Sequence, residues 1–141
     1  MVKKSYMLFS IKDRYYAVNV DYIQEIINSV KILDIPRKKD YCEGIISLRG
    51  EILPIINGRK IFNIEKPNLK DDETVIILKN KEDYFGLLVE KVIDVLKIRE
   101  DEFLEANAKN NIQGIIKSNE KLYKFKNYTV IVLDINFFDK I

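Results

Sequence analysis

Histidine is absent from the 141 residues of the chain, and Cys42 is its only cysteine. The usual general base, the usual zinc ligand and the phosphate-accepting residue of a histidine kinase are therefore missing. A single cysteine cannot form a disulfide within the chain, and this usage suits a reducing cytosol. These absences close structural zinc and cysteine–histidine catalysis, and they favour a protein that is not an enzyme.

Glycines and long apolar runs are also scarce. None of the five glycines stands in a G-x-G-x-x-G or G-x-x-x-x-G-K-[ST] arrangement, so no phosphate-binding loop is predicted. No apolar run approaches the roughly 18 residues of a membrane span, and no signal-peptide core follows the N terminus. The net charge of +2 with 33% charged residues indicates a mixed surface. We expect a soluble cytoplasmic protein without cofactor, metal ion or direct membrane insertion.

Short β-prone runs dominate the chain. They are rich in Ile, Val, Tyr and Phe, and Asp, Asn, Lys and Gly separate them, which is typical of small barrels or sandwiches. The runs predicted as strands are residues 6–11, 15–20, 30–35, 44–48, 52–56, 74–79, 85–89, 95–98, 114–117, 122–125 and 129–133. Asp21 and Gln24 resemble a capping box, and the isoleucines that follow have helical spacing, which predicts one helical turn. Two further short helices are predicted at residues 57–63 and 136–141; a frayed chain end is the alternative for the second.

The chain is similar to itself at an offset of 69 positions. Residues 6–9 fall on residues 75–78, and residues 15–27 fall on residues 84–96 without a gap. Further matches join residues 44–46 to 114–116 and residues 55–57 to 132–134. This similarity predicts a duplicated β unit. The first barrel would span mostly residues 6–65 and the second mostly residues 74–135, with the chain ends crossing between them and residues 66–72 as the link.

Residues 41–56 place one arginine between two apolar runs punctuated by glycine. Gly44 and Gly50 bracket the first run and residues 52–56 form the second, so we predict two strands that meet at a glycine turn. Because Pro54 lacks an N–H group, the second strand should be peripheral or bulged there. Arg49 at the strand end can reach a carboxylate elsewhere in the domain or on a partner; a solvated arginine is the alternative.

Residues 117–126 suggest a different function, because lysines and aromatic residues alternate there as in single-strand nucleic-acid platforms. Lys121, Tyr123 and Phe125 equally fit an ordinary hairpin whose lysines protect an edge. A small nucleic-acid-binding β-barrel is therefore the alternative function. A carboxylate enzyme built on the acidic residues 71–73 or 100–102 is a third possibility, although solvated loops explain both clusters better.

The ordered segments resemble the CheW family of chemotaxis coupling proteins over nearly the whole chain. They are residues 6–10, 16–20, 23–27, 35–36, 44–50, 52–56, 86–92, 114–117 and 132–135. The resemblance implies a single CheW-like domain over residues 1–141, mainly β, made of two SH3-like five-stranded barrels, which agrees with the duplication. Asn57-Gly58 stands where the family usually has Asp-Leu, and Glu90 replaces the common Asp. Neither position is therefore expected to carry an essential charge.

The resemblance also implies a non-catalytic adaptor. Its partners would be the regulatory domain of the histidine kinase CheA and the signalling tip of a chemoreceptor, in arrays beneath the inner membrane. A receptor helix would need an apolar groove, expected between the barrels. The groove candidates are Ile23, Ile26, Ile27, Val30, Leu87 and Leu88, each with core packing as the alternative. Glu25 and Arg49 are candidates for an ion pair or for polar contacts in the groove.

Overall fold

The structure, a computed structural model, describes residues 2–64, 74–105 and 121–140. Its strands are β1 (Lys3–Ile11), β2 (Arg14–Asn19), β3 (Ile23–Asn28), β4 (Cys42–Leu48), β5 (Glu51–Asn57), β6 (Thr74–Asn80), β7 (Asp83–Val89), β8 (Lys91–Arg99), β9 (Leu104–Glu105), β10 (Lys121–Phe125) and β11 (Tyr128–Val132). One short helix, α1, spans Gly58–Ile61, and 3-10 turns span Val20–Tyr22, Glu100–Glu102 and Ile135–Lys140. The predicted mainly β class is confirmed.

The chain divides into two compact units. The first contains Met1–Asp21 and Val92–Ile141, and the second contains Tyr22–Lys91. The first unit's sheet has the order β8-β1-β2-β11-β10-β9, and the second unit's sheet has the order β3-β6-β7-β5-β4. The five-stranded plan is therefore present twice, with the two-residue β9 added to the first sheet.

The strand register confirms the internal duplication. In the hairpin of β1 and β2, Tyr6 lies opposite Asn19. In the hairpin of β6 and β7, Val75 lies opposite Leu88. Both partners are displaced by the same 69 positions that relate the two halves of the sequence. The aligned segments therefore have the same pairing as well as a similar composition.

Each sheet combines strands from both halves of the sequence. β2 pairs in parallel with β11, so that Ala17 lies opposite Val132. β7 pairs in parallel with β5, so that Gly86 lies opposite Ile55. This equivalence confirms the predicted match of residues 55–57 with 132–134. Each unit accordingly contains strands from both sequence halves, 6–65 and 74–135.

The predicted match of residues 44–46 with 114–116 lies outside the described residues. In the hairpin of β10 and β11, Lys121 lies opposite Val132, and at the equivalent position of the hairpin of β4 and β5, Gly44 lies opposite Ile55. The hairpin of β10 and β11 is thus displaced by 77 positions from that of β4 and β5. The predicted link at residues 66–72 also lies outside the described residues.

Each unit has its own apolar core. The first core consists of Tyr6, Leu8, Ala17, Leu96, Ile98, Val130 and Val132. The second consists of Ile46, Leu53, Ile55, Val75, Ile77 and Leu88. β6 is buried on both faces: Val75 and Ile77 face the core, and Ile76 and Leu78, which alternate with them on the other face, are also fully buried. A strand covered on both faces needs no alternation, which explains its continuous apolar sequence. Each such aliphatic side chain contributes about 1.5–3 kcal/mol.

Two predictions within residues 21–35 are wrong. Val20–Tyr22 does form a 3-10 turn, but the isoleucines after it belong to β3 and not to a helix. β-Branched side chains favour the extended backbone, and pairing with β6 fixes it there. The predicted strand at residues 30–35 is reduced to one isolated bridge between Leu33 and Ile45.

Pro54 does not lie in a peripheral strand, because β5 runs between β7 and β4. The irregularity lies instead in β4, between Cys42 and Gly44. Pro54 is tolerated because the ladder to β7 begins only at Ile55, so this position has a partner strand on one side only.

The two short helical predictions near residues 57 and 136 are confirmed. Asn57 caps α1, its Oδ1 accepting a hydrogen bond from the Lys60 backbone N–H at 3.1 Å. The terminal Ile135–Lys140 segment is a 3-10 turn that buries Phe138, whose ring meets that of Phe137 edge to face at 5.3 Å. Each of these segments follows the last residues of a strand, β5 or β11, and a phenylalanine at its end or within it, Phe62 or Phe138, is buried.

Candidate partner-binding surface

Arg49 and Glu25 form an ion pair in the second unit. Nη1 of Arg49 donates to Oε1 of Glu25 at 2.5 Å, and the two side chains are 76% and 27% exposed. The predicted pairing of these residues is confirmed. Pairs this exposed usually add less than about 1 kcal/mol to stability. The contact therefore orients the two side chains more than it stabilises the unit.

Arg49 lies in the two-residue turn between β4 and β5. Leu48 lies opposite Glu51, and the φ angles of Arg49 and Gly50 are 50° and 82°. Two positive φ angles define a type I′ turn, which normally favours Asn, Asp or Gly at its first position. A larger residue there costs roughly 1–2 kcal/mol. The turn places the guanidinium group at the outermost point of the hairpin.

Glu25 lies in β3, the outer strand of the second unit's sheet. The register against β6 shifts between Ile23 and Glu25, so Gln24 is an extra residue in a β-bulge. On its other side β3 has no partner strand among the described residues. Such an edge can accept an added strand or an apolar helix from another protein.

The four apolar candidates near β3, Ile23, Ile26, Ile27 and Val30, are all half-buried. Pairing with β6 puts Ile23 and Ile26 on one face of the sheet and Ile27 on the other. Ile27 and Val30 pack against the second unit's core. The structure therefore separates the set: Ile27 and Val30 have a packing role, and Ile23 and Ile26 stay candidates for contact with a partner.

Leu87 and Leu88 are buried. Leu88 belongs to the second unit's core, and Leu87 lies opposite Ile56 inside the sheet. Neither side chain offers apolar area to a partner in this structure. Their burial supports core packing, which was the alternative role considered for both residues.

Sequence reasoning missed an exposed apolar patch on the outer face of the β4–β5 hairpin. Ile52 is 68% exposed and Leu33 is 50% exposed. Leu33 is bridged to Ile45, which pairs with the exposed Pro54. The signal was present in the sequence, because residues 52–55 alternate between outward and inward positions. We call Leu33, Ile45, Ile52 and Pro54 the hairpin patch.

An ion pair orders the segment that carries Leu33. The Lys38 ammonium group contacts the Asp34 carboxylate and donates to the Glu43 carbonyl oxygen at 3.2 Å. The hydrogen bond from Lys38 lowers the pKa of Asp34, and the same contact raises the pKa of Lys38. The segment is thus tied at both ends, at Lys38 and at the bridge from Leu33 to Ile45.

The first unit lacks the ion pair at the equivalent positions. Lys126 occupies the turn position of Arg49, with φ 54°, and Asp94 occupies the position of Glu25 by the offset of 69. Lys126 lies over the Phe125 ring at 5.2 Å, and Asp94 accepts a hydrogen bond from the Val95 N–H. No ion pair joins Lys126 to Asp94 in the described part of the chain. The duplicated fold therefore does not require the pair.

The lysine–aromatic segment does not form a stacking platform. Tyr123 and Phe125 pack against the first unit's core. Lys121 lies over the Phe103 ring at 5.2 Å and pairs with Glu100 at 3.5 Å. Because both rings are half-buried against this core, packing explains them without base stacking. This arrangement favours the ordinary hairpin over the nucleic-acid interface; residues 117–120 lie outside the described residues.

Within residues 2–64, 74–105 and 121–140, no three His, Cys, Asp or Glu side chains come together as they would around a metal ion. In the acidic Glu100–Glu102 turn, Arg99 pairs with two of the three carboxylates, Asp101 at 3.2 Å and Glu102 at 3.6 Å. No helix in the described part of the chain is long and apolar enough to cross a membrane.

Two compact β units with an exposed hairpin tip and an open edge strand offer surfaces of the kind through which β domains bind other proteins. Residues 5–138 match the sequence model of the CheW-like domain. The chain belongs to the CheW family, the scaffolding and coupling proteins of chemotaxis.

Two relatives and one solved structure illustrate the similarity. The chemotaxis protein CheW of Thermotoga maritima is 31% identical over 132 residues, covering 91% of this chain and 82% of that protein. The chemotaxis protein CheW of Bacillus subtilis is 27% identical over 134 residues, covering 92% and 83%. The crystal structure of the scaffolding protein CheW from Thermoanaerobacter tengcongensis matches with a TM-score of 0.81 and 27% identity, covering 99% of this chain and 94% of that one.

Proposed function

We propose that this CheW-family scaffold couples the signalling tip of a chemoreceptor to the regulatory domain of the histidine kinase CheA. It would act in the cytoplasm, in receptor arrays beneath the inner membrane. The observation that carries the proposal is the ion pair between Arg49 and Glu25, which joins a hairpin tip to an edge strand in the second unit only.

The ion pair supports a binding role because it contributes little to stability. Glu25 lies on the face of β3 opposite Ile23 and Ile26, so the bond to its carboxylate holds the strand that carries them without covering them. The half-buried isoleucines offer apolar area of the kind that the apolar face of a receptor helix requires. Arg49 keeps its other N–H groups available at the rim, where charged groups orient a partner.

The hairpin patch is the candidate surface for the kinase's regulatory domain. Pairing between homologous β domains needs exposed strand ends and apolar loop tips, and Ile52 lies two residues beyond the turn of Arg49 and Gly50. Among the described residues of the second unit, Ile52 is the most exposed large hydrophobic side chain. A side chain this open that fills a partner pocket is the usual form of an interface anchor.

Co-sedimentation with receptor signalling fragments and a CheA-type kinase tests the proposal. Glu25→Ala and Arg49→Ala should reduce the kinase brought down with receptor. Asp94→Ala and Lys126→Ala, the equivalent positions of the first unit, are the matched controls and should leave assembly near the wild-type level. Equal losses in both sets would remove the ion pair as the basis of the proposal, and no assembly with the unaltered chain would reject the coupling function.

A further inference from the structure

Asn57 is a fully buried amide whose polar groups are all engaged. Its Nδ2 donates to Oε1 of Glu43 at 2.8 Å, and its Oδ1 accepts from the Lys60 N–H. Its backbone N–H donates to the Tyr41 carbonyl oxygen at 2.7 Å. These bonds tie the end of β5 to the start of β4 and to α1. Asn57 is thus the connection between three segments of the second unit.

The residue after Asn57 is Gly58. An asparagine followed by glycine is chemically labile, because no side chain shields the glycine nitrogen and its backbone turns freely. In deamidation, the Gly58 nitrogen loses its proton and attacks Cγ of Asn57. The new N–Cγ bond forms as the Cγ–Nδ2 bond breaks, and ammonia leaves with the proton. Water then opens the cyclic imide to aspartate or isoaspartate, and no electrons are gained or lost.

The folded chain opposes each step of this reaction. The hydrogen bonds to Glu43 and Lys60 hold Cγ where the N-cap requires it, with Asn57 at φ −77° and ψ 114°. Gly58 is buried, which limits the access of base and water to its nitrogen. Cyclisation therefore requires α1 to open first.

We propose that Asn57 is a covalent modification site that the fold protects. Its deamidation would yield the aspartate that the family usually has at this position, but here the new carboxylate would face Glu43 and weaken the connection of α1 and β5 to β4. The product carries a carboxylate at hydrogen-bond distance from the Glu43 carboxylate. Two carboxylates this close cannot both be ionised without a large cost, and the lost amide donor leaves Glu43 without its partner. The inference is independent of the proposed coupling function, since it concerns the second unit alone.

The charged groups around Glu43 determine how much a new carboxylate at position 57 would destabilise the unit. Lys60 in α1 lies 3.8 Å from Oε1 of Glu43, and Lys38 donates to the Glu43 carbonyl oxygen. Arg59 in α1 is paired with Glu90 at 3.4 Å. Among the described residues, Lys60 is the cation that pairs with the Glu43 carboxylate, and one ammonium group does not neutralise two carboxylates.

Peptide mapping after incubation at mildly alkaline pH tests the protection. Trypsin releases residues 50–59, which contain Asn57 and Gly58. We expect conversion to the acid at least about tenfold faster in urea than in buffer, because the reaction requires opening. Gly58→Ala should slow conversion in urea. Equal rates in buffer and urea, or no conversion in urea, would overturn the proposal.

The Asn57→Asp variant tests the consequence without waiting for the reaction. Its Tm should fall by at least about 4 °C at neutral pH. The deficit should shrink as pH falls towards the ordinary carboxyl range of about 4, where one carboxyl of the pair protonates. Asn57→Ser, which keeps a capping oxygen without charge, should lose less and show no such pH response. Combining Asn57→Asp with Glu43→Gln should restore stability. A loss of Tm in Asn57→Asp that changes neither with pH nor with Glu43→Gln would contradict the proposal.

Discussion

Ala17 and Gly86 occupy the same position in the two units, each opposite the strand that joins its sheet in parallel. The Ala17 methyl group is buried in the first core. At Gly86 a Cβ atom would lie 2.5 Å from Cδ1 of Ile55 and 2.6 Å from Cγ1 of Val75. The duplicated positions have therefore diverged. In the first core the space is filled by the Ala17 methyl group, and in the second it is filled by the side chains of Ile55 and Val75.

Gly86→Ala should destabilise the protein by about 1–3 kcal/mol, because the added methyl overpacks a full core. Urea denaturation would measure the change. Adding Ile55→Val, which removes the closer of the two clashing atoms, should recover part of the loss. A Gly86→Ala chain as stable as the wild type would show that the core has room at this position.

A double-mutant cycle between Glu25→Ala and Arg49→Ala should give a coupling energy below about 1 kcal/mol in stability, as expected of an exposed pair. The same cycle in the assembly of receptor and kinase should show a larger coupling, because a partner excludes water from the pair. Strict additivity in both measurements would mean that the observed contact does not act as a unit.

Arg49→Lys should lie nearer to Arg49→Ala than to the wild type in assembly. One guanidinium nitrogen contacts Glu25, and the other N–H groups remain available to a partner. A lysine keeps the charge, but it lacks the planar guanidinium group that can hydrogen-bond to Glu25 and to a partner at the same time. Thermal melts should show both variants folded. Wild-type assembly by Arg49→Lys would indicate that charge alone is sufficient.

Ile27→Asp and Ile52→Asp should separate core from surface. Ile27 packs against the second core, so a carboxylate there should lower the free energy of unfolding by several kcal/mol. Ile52 is exposed, so its substitution should change that free energy by no more than about 0.5 kcal/mol while weakening binding of the kinase domain. Thermal melts and calorimetry with the kinase domain would check both. An Ile52→Asp chain that binds normally would remove the hairpin patch from the interface.

The Asp34 carboxyl group should titrate below its ordinary value of 3.8, because its hydrogen bond and charge contact with Lys38 favour the ionised form. The pair of Asp34 and Lys38 therefore adds to the stability of the Leu33 segment at pH values above the ordinary carboxyl pKa of 3.8. This stabilisation is lost as the pH falls through the lowered pKa of Asp34. Carbon-detected NMR titration would measure the midpoint. Lys38→Gln should return it towards 3.8; an unchanged midpoint would exclude Lys38 as the cause.

Part of the fold was readable from the sequence. The offset of 69 gave the register of β1 with β2 and of β6 with β7, because both hairpins close through two-residue turns of equal length. The pairing of Arg49 with Glu25 was also predicted. A crossing of the chain between the barrels was expected, but two similar repeats do not state which strands cross, so the exchange of β5 and β11 between the sheets was not predicted.

The helix predicted after Asp21 failed for a specific reason. The bulge at Gln24 shifts the register, so Ile23 and Ile26 fall on one face of the sheet although they are three residues apart. Three is the spacing of neighbours on a helix, and a bulged strand therefore imitates a helical pattern. Burial of Leu87 was equally hidden, because a strand covered on both faces has no periodicity to show which side chains are exposed.

The parallel pairing of β2 with β11 has a consequence for the order in which the chain folds during synthesis. The first two strands leave the ribosome early but lack their neighbour until residues 128–132 emerge, whereas residues 22–91 already contain every strand of the second unit. The later-starting unit is therefore the first that can be completed, and the apolar hairpin of β1 and β2 must wait for β8 on one edge and for β11 on the other. Such a waiting edge is the segment on which a nascent chain most needs a chaperone.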